Sequence, residues 1–371
     1  AVALLPALIG SWKEVGGGLQ LSTSQAFHVN RAALERADLE QRSLGRPARV
    51  VNMVELGSAL EELDHPPVRA LVVYNSNPAA IVPDQSRVTR ALAREDLFTV
   101  VLEQAQTDTA DYADILLPVT TFLEHTDLYF AYGHYYLQLA RPVVPPAGEA
   151  KSNVEIFRLL AQRMGFDDPC FNDTEDDMIR ALLASGHPFL EGITLERLER
   201  ERSVRLNIPD PFLPFASGGF GAASGKCEFR AGTLDYTPPV ESRLGGNGLL
   251  AKYPLELISP KNDDSMNSTF GYRDSADQET SRLVMHPADA GPRGISNGDL
   301  VRIYNARGSC VLAARVEASV RAGVVSAPSV RWSKRAPDRR NVNALTSTRL
   351  TDKGGGPALY SCLVEVERSG D

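Results

Sequence analysis

Of the residue types whose spacing most directly betrays a metal or redox centre, this 371-residue chain has few: four cysteines and six histidines. Cys170, Cys227, Cys310 and Cys362 form no CxxC pair and no spacing of a small disulfide-stapled domain, so they read as scattered free thiols in a reducing compartment. The histidines, at 28, 65, 125, 134, 187 and 286, show no HxxxH or HExxH spacing, and no metal site can be assembled from clustered side chains. Long apolar runs are also missing. The longest, near residues 1–9, is broken by Pro6, is too short to span a bilayer and lacks the basic start and cleavage site of a signal peptide, so no direct membrane insertion is expected. Blocks of like charge are absent: 39 basic and 47 acidic residues are interspersed for a net charge of -8, which argues against nucleic acid or an anionic membrane as partner. No internal repeat and no low-complexity stretch occurs. The chain opens on Ala inside an apolar run, so an upstream portion, with any targeting signal, is expected to be missing; a cytoplasmic location is expected, with the periplasm left open.

What is present is enough apolar material for sizeable cores. At 43% hydrophobic content, 371 residues exceed what one core usually fills, and two or more domains are expected. The run at 68–74 reads as a buried strand ending in the turn at 75–78. Pro83 and Asp84 open a helical pattern with Val88, Ala91 and Leu92 on its apolar face, closing near Asp96, and a second strand follows at 98–102. Strand, helix, strand implies parallel strands joined by a right-handed crossover. A polar loop at 103–109, a short turn at 110–114 and another strand at 115–118 come next. Both polar loops leave the carboxyl ends of neighbouring parallel strands, the edge where open α/β sheets bind ligands.

Ser152 and Glu155 form a capping-box pattern before a helix whose stripe is Phe157, Leu160, Ala161 and Met164, ended by Gly165. A second helix is expected over 175–183, capped by Thr174, with Met178, Ile179, Leu182 and Leu183 inward. Pro and Gly thicken over 208–248, which reads as a loop-rich crossing. Beyond it, short strands at 255–259, 300–304, 310–316 and 324–327, with turns at 297–299 and 305–308, predict a compact β-barrel.

Three stretches in order resemble the molybdopterin oxidoreductase family, which includes dimethyl sulfoxide reductase, periplasmic nitrate reductase and molybdenum formate dehydrogenases. The first is YNSNP at 74–78 with TDTADYADILLP at 107–118 and Glu124; the second is SPKNDDSMNSTF at 259–270. The third is HPADA at 286–290 with GISNGD at 294–299, then Trp332, NALT at 343–346 and the Gly-rich 354–360. The resemblance implies an α/β fold, a parallel sheet with flanking helices over 1–245, truncated at its N-terminus, followed by an all-β double-psi barrel-like dinucleotide-binding domain over 250–371.

It also implies a molybdenum-bis(molybdopterin guanine dinucleotide) cofactor. A cofactor with a pyrophosphate and a guanine at each tail calls for backbone amides and short hydroxyl or amide side chains more than for catalytic acids. By the resemblance, Asn77, Leu102 and Glu103 would meet one guanosine end, the Glu103 carboxylate suiting the N1 and N2 donors of guanine. Thr107, Asp108 and Thr109 belong to the same edge; His125 stands where relatives often have Lys, and Asn153 where they often have Asp. Lys261, Ser265, Asn267, Ser268 and Thr269 would wrap the other pterin and its phosphates, Trp332 and Asn343 would line the same cofactor, and Ser361 stands where relatives commonly place Lys. Asp289 and Asp299 sit in turn contexts and read as structural, and Arg273, Arg282 and Arg293 as solvated charges.

No catalytic residue and no metal ligand is assigned. The Cys, selenocysteine, Ser or Asp that ligates molybdenum in this family, and the N-terminal 4Fe–4S domain of many members, would lie upstream. The implied parent is a two-electron oxidoreductase acting on a small-molecule substrate, with an iron–sulfur or cytochrome subunit as electron partner, and this segment alone is expected to be inactive. Formate, nitrate, a sulfur oxyanion, an S-oxide or an organic acid derivative all remain open as substrates. The alternative is a molybdenum-free electron-transfer scaffold of the same fold, like the large iron–sulfur subunit of respiratory complex I.

Overall fold

The Val- and Leu-rich run at 70–74 forms the first strand of a parallel sheet, as the apolar patterning requires. The computed structural model describes residues 2–229, 236–246, 248–262, 266–352 and 354–370. Strand β1 (Ala70–Tyr74) pairs in parallel with β2 (Phe98–Glu103), and β2 with β3 (Ile115–Pro118), in the order β1-β2-β3. The crossover between β1 and β2 carries helices Pro78–Ile81 and Gln85–Leu92, with Val88, Ala91 and Leu92 buried. The second helix stops at Leu92 rather than near Asp96, where Arg94 turns to ion-pair with Asp96 at 2.9 Å.

Strands β4 (Asp127–Tyr129), β5 (Tyr136–Ala140) and β6 (Ser203–Arg205) form an antiparallel sheet. Leu137, Leu139 and Val204 share one core with Ile179 and Leu183 of helix Glu175–Leu183 and with Leu195 and Leu198 of helix Leu195–Glu201. Thr174 caps the first of these as expected, in a reciprocal box with Asp177. Ser152 likewise caps helix Asn153–Arg163 by accepting from the Glu155 N–H at 3.1 Å. The apolar stripe of that helix is largely uncovered: Ala161 is buried, whereas Phe157, Leu160 and Met164 are exposed. Periodicity identifies a face that could be covered, not what covers it.

No strand or helix forms between β6 and residue 248 among the described residues, in keeping with the Pro and Gly content there. The remainder closes a six-stranded barrel from β7 (Leu255–Ile258), β8 (Arg282–Met285), β9 (Leu300–Tyr304), β10 (Ser309–Val316), β11 (Val324–Ser326) and β12 (Cys362–Arg368), in the order β10-β8-β11-β7-β12-β9. Alternation decides its interior: Cys310, Leu312 and Ala314 of β10 point in, with Leu255, Leu257, Leu283, Met285, Val301, Ile303, Val325, Val364 and Val366. Strands β8 and β12 were not among those expected. The first is four residues long and abuts His286-Pro287, and the second follows the Gly-rich stretch with only three clear in/out alternations.

The chain divides into two compact units, Ala1–Ala48 with Val119–Asp235, and Arg49–Pro118 with Tyr236–Asp371. A single cut at 245–250 would separate the parallel sheet from the barrel, whereas contacts group the two. Among the described residues no helix is long and apolar enough to cross a membrane.

Because Leu283 is fully buried inside the barrel, Leu283→Ala is expected to destabilise the barrel unit by about 2–5 kcal/mol. Met164→Ala, at a site 59% exposed, should stay within about 0.5 kcal/mol of the parent. Denaturant unfolding of both variants measures the contrast.

Candidate functional site

The sheet of the second unit brings its first two strands to a common edge, since Tyr74 and Leu102 stand opposite each other at the ends of β1 and β2. The loops that leave them are locked together. Asn77, buried, accepts through Oδ1 from the Thr109 N–H at 3.0 Å and from the Thr109 hydroxyl at 2.7 Å, and its Nδ2 donates to Asp108 Oδ2 at 3.4 Å. Thr109 Oγ1 in turn accepts from the Ala79 N–H at 3.0 Å. The side chains of Asn77 and Thr109 are thus committed to each other, and what they shape is the backbone of both loops.

A strap from the barrel, residues 331–335, anchors the site from the other side. Trp332, 5% exposed, donates its indole N–H to the Ser268 carbonyl at 2.7 Å. Ser333 hydrogen-bonds to Gln85 Nε2, and Gln85 also donates to the Ala79 carbonyl at 3.0 Å and accepts from the Asn341 N–H at 3.2 Å. The backbone N–H of Lys334 donates to Asp108 Oδ1 at 2.7 Å. Its Nζ donates to the carbonyls of Gln106 at 2.7 Å and Thr107 at 3.1 Å and ion-pairs with Asp111 at 2.8 Å. Asn343 is buried and donates to the Ala80 carbonyl at 2.9 Å, beside Asn341, which donates to the same carbonyl at 3.0 Å.

The loop after β7 carries Lys261, Asn267, Ser268 and Thr269; all but the half-buried Ser268 are exposed. Ser265 lies outside the described residues. Asn267 adopts a left-handed φ of 54°, which Asn tolerates better than most residues. Gly271 is where the loop meets the strap: a Cβ there would stand 2.3 Å from Trp332 Cδ1, so only glycine permits this approach. Tyr272 meets Trp332 edge-on at 5.9 Å between ring centroids. The loop then runs into helix Asp274–Thr280, whose Asp277 pairs with Arg331 at 3.3 Å and with Arg335 at 2.5 Å.

Two carboxylates at this edge carry a cost. Burial pushes the Glu103 carboxyl above its ordinary range, against the opposing effect of the Gln104 N–H, which donates to it at 2.8 Å. Burial also pushes Asp108 up, opposed by the Lys334 N–H and by Asn77. The sequence-predicted residues Asn77, Leu102, Glu103, Thr107, Asp108, Thr109, Lys261, Asn267, Ser268, Thr269, Trp332, Asn343 and Ser361 all fall in this unit, with Ser361 half-buried just before β12. His125 and Asn153 belong to the other unit, where His125 Nδ1 meets the Thr120 hydroxyl at 2.8 Å and Asn153 starts its helix. Gln85, Ser333, Lys334 and Asn341 were not expected from the sequence. Their partners are backbone carbonyls and residues up to 261 positions away, and no local motif announces that.

Of the residues read as structural, Asp299 accepts from the Ser296 N–H at 2.9 Å within its own turn. Asp289 departs from this, reaching across to the Gly323 N–H at 2.6 Å. Arg293 is not a solvated charge but pairs with Glu365 at 2.7 Å. Among the described residues no group of three or more His, Cys, Asp or Glu could hold a metal ion.

Residues 2–163 match the family model described as molybdopterin oxidoreductase, and residues 255–363 match that of the molydopterin dinucleotide binding domain. The chain is 38% identical to Probable oxidoreductase YoaE of Bacillus subtilis, over 99% of this chain and 53% of that protein. It is 30% identical to Probable oxidoreductase YyaE of the same organism, over 95% of this chain and 52% of that protein. To the trimethylamine-N-oxide reductase of Haemophilus influenzae it is 26% identical, over 83% and 42%. The chain therefore spans about half the length of the two curated Bacillus subtilis relatives. The solved structure of acetylene hydratase from Pelobacter acetylenicus superposes with a TM-score of 0.70 at 23% identity, covering 87% of this chain and 47% of that one, and shows the same fold.

The raised Glu103 carboxyl yields a pH prediction. The folded protein holds this proton more tightly than the unfolded chain, so the contribution of Glu103 favours folding at low pH and is lost as pH rises from the ordinary carboxylate value through the raised one. In the ligand-free protein, Glu103→Gln should gain stability over the parent across that window and keep a constant advantage above it. Unfolding curves at closely spaced pH values measure the difference, and a flat difference would contradict a buried Glu103.

Proposed function

This chain belongs to the molybdopterin oxidoreductase family, and we propose that it is the part of a longer enzyme that holds a molybdenum-bis(molybdopterin guanine dinucleotide) cofactor. The observation that carries the proposal is the convergence, within one compact unit, of the loop after β2 and the loop after β7 on a single barrel strap, with the loop after β1 bonded to the first of them. The donor set fits such a group. Glu103 offers a half-buried carboxylate already disfavoured as an ion, which gains from meeting the paired N–H donors of a guanine. Asn267, Ser268 and Thr269 offer an amide and two hydroxyls on a loop whose backbone is set by Gly271 and Trp332. Asn77, Asp108 and Thr109, bonded to one another, would act on the cofactor through the loop backbone they hold. When bound, the cofactor supplies two-electron redox chemistry at molybdenum.

Relatives are named as reductases of trimethylamine N-oxide, dimethyl sulfoxide and biotin sulfoxide. The reaction class to test first is therefore removal of oxygen from an S-oxide or N-oxide. Two electrons from a partner redox protein and two protons would convert it to the sulfide or amine and water. The isolated chain should not turn over, because no molybdenum ligand is assigned to it. Retention of the polar sequence 261–270 weighs against the molybdenum-free scaffold.

Elemental analysis of the full-length protein from a molybdate-supplied host, with guanine nucleotide released by acid, tests the proposal. About one molybdenum and about two guanine nucleotides per chain are expected; iron without molybdenum would select the scaffold reading. Asn267→Gly, which keeps the left-handed backbone, and Thr269→Val should each lower molybdenum content severalfold, up to the roughly tenfold worth of one hydrogen bond, with circular dichroism unchanged. Full metal content in both variants would remove this loop from the site.

A further inference from the structure

The strap 331–335 holds three elements of the site: the loop after β7 with the helix it leads into, Gln85, and the loop after β2. Arg331 and Arg335 clamp Asp277, fixing where the loop after β7 leaves for its helix. Trp332 holds the middle of that loop through the Ser268 carbonyl and presses on Gly271. Ser333 holds Gln85. Lys334 holds the β2-end loop with four bonds, one from its N–H to Asp108 and three from its ammonium to Gln106, Thr107 and Asp111. An ammonium has three protons, and these three acceptors use all of them. Its side chain is 22% exposed, so the pair with Asp111 is partly shielded from solvent.

Two loops gripped by adjacent residues of one short segment cannot move independently. A displacement of the 104–111 loop is transmitted through Lys334 to Trp332 two residues earlier, and from there to Ser268. We propose that the strap couples the two loops, with Lys334 as the positioning residue, so that loosening either loop loosens the other and a ligand that orders one orders both. The coupling is a property of the ligand-free protein and does not depend on the cofactor reading above. Coupling of this kind is reciprocal: whatever loosening the first loop does to the second, loosening the second does to the first.

The test uses the full-length protein from a host unable to make the cofactor. In the ligand-free protein, Lys334→Met should speed amide hydrogen exchange in residues 266–273, which the strap holds through Trp332, by about tenfold, the worth of one charge-assisted hydrogen bond. Trp332→Phe, which keeps the ring and removes the indole N–H, should speed exchange in residues 104–111 in turn, and it serves equally if Lys334→Met does not fold. Lys334→Arg, which restores the charge and donors, should return exchange in 266–273 toward the parent value. Exchange confined in each variant to the loop that its own residue touches would overturn the coupling.

Discussion

Ala79 and Ala80 lie at 1% and 0% exposure on the short helix that follows β1, and their backbone carbonyls must find donors or bear the full cost of desolvation. Gln85 serves the first, and Asn341 and Asn343 serve the second. The two asparagines come from the 3-10 turn that follows the strap, so the parallel sheet satisfies its own end only by accepting side chains from the barrel region. That requirement accounts for the grouping of 49–118 with 236–371, and it brings the strap against the strand-end loops. Remove the amides and the sheet end is left with buried unpaired carbonyls at the place where a ligand is expected to bind.

The same arrangement explains how two disfavoured carboxylates persist side by side in one loop region. Asp108 is buried but divides its oxygens between a backbone N–H and an amide, donors that partly replace water. Glu103, half-buried, has a weaker replacement, the N–H of Gln104 at 2.8 Å. Asp108 with its acceptors used therefore serves to build the loop region, and the proposed contact of Glu103 with a guanine is the one that would relieve its burial.

Much of this was legible in the sequence where the signal is local. The strand at 70–74, the crossover, the cap at Thr174 and four barrel strands follow from apolar periodicity and short-range capping. The loops carrying Asn77, Glu103 and Thr109 were legible as strand-end loops, and the family pattern added the loop at 261–269. What stayed hidden was the set of side chains whose partners are backbone atoms far along the chain. Lys334 reads as an ordinary basic residue among Arg331, Arg335 and Arg340, and only the fold shows that its ammonium is saturated by Gln106, Thr107 and Asp111. The sequence also assigned Asn77 and Thr109 to the ligand, since an amide and a hydroxyl at a strand end suit one; in the fold these groups meet each other first.

That difference bears on how binding energy is used. A loop that must be ordered by its ligand loses about 0.5–1.5 kcal/mol of affinity for each rotamer-rich side chain it immobilises. Here Asn77, Thr109, Lys334 and Trp332 are already held by internal bonds. A ligand at this surface would meet the short hydroxyl side chains of Ser268 and Thr269, which have little rotamer freedom to lose. A large, many-atom cofactor meeting such a surface would bind through many modest contacts whose ordering cost has been met by folding. The strap makes those contacts mutually dependent, because the two loops share the one support.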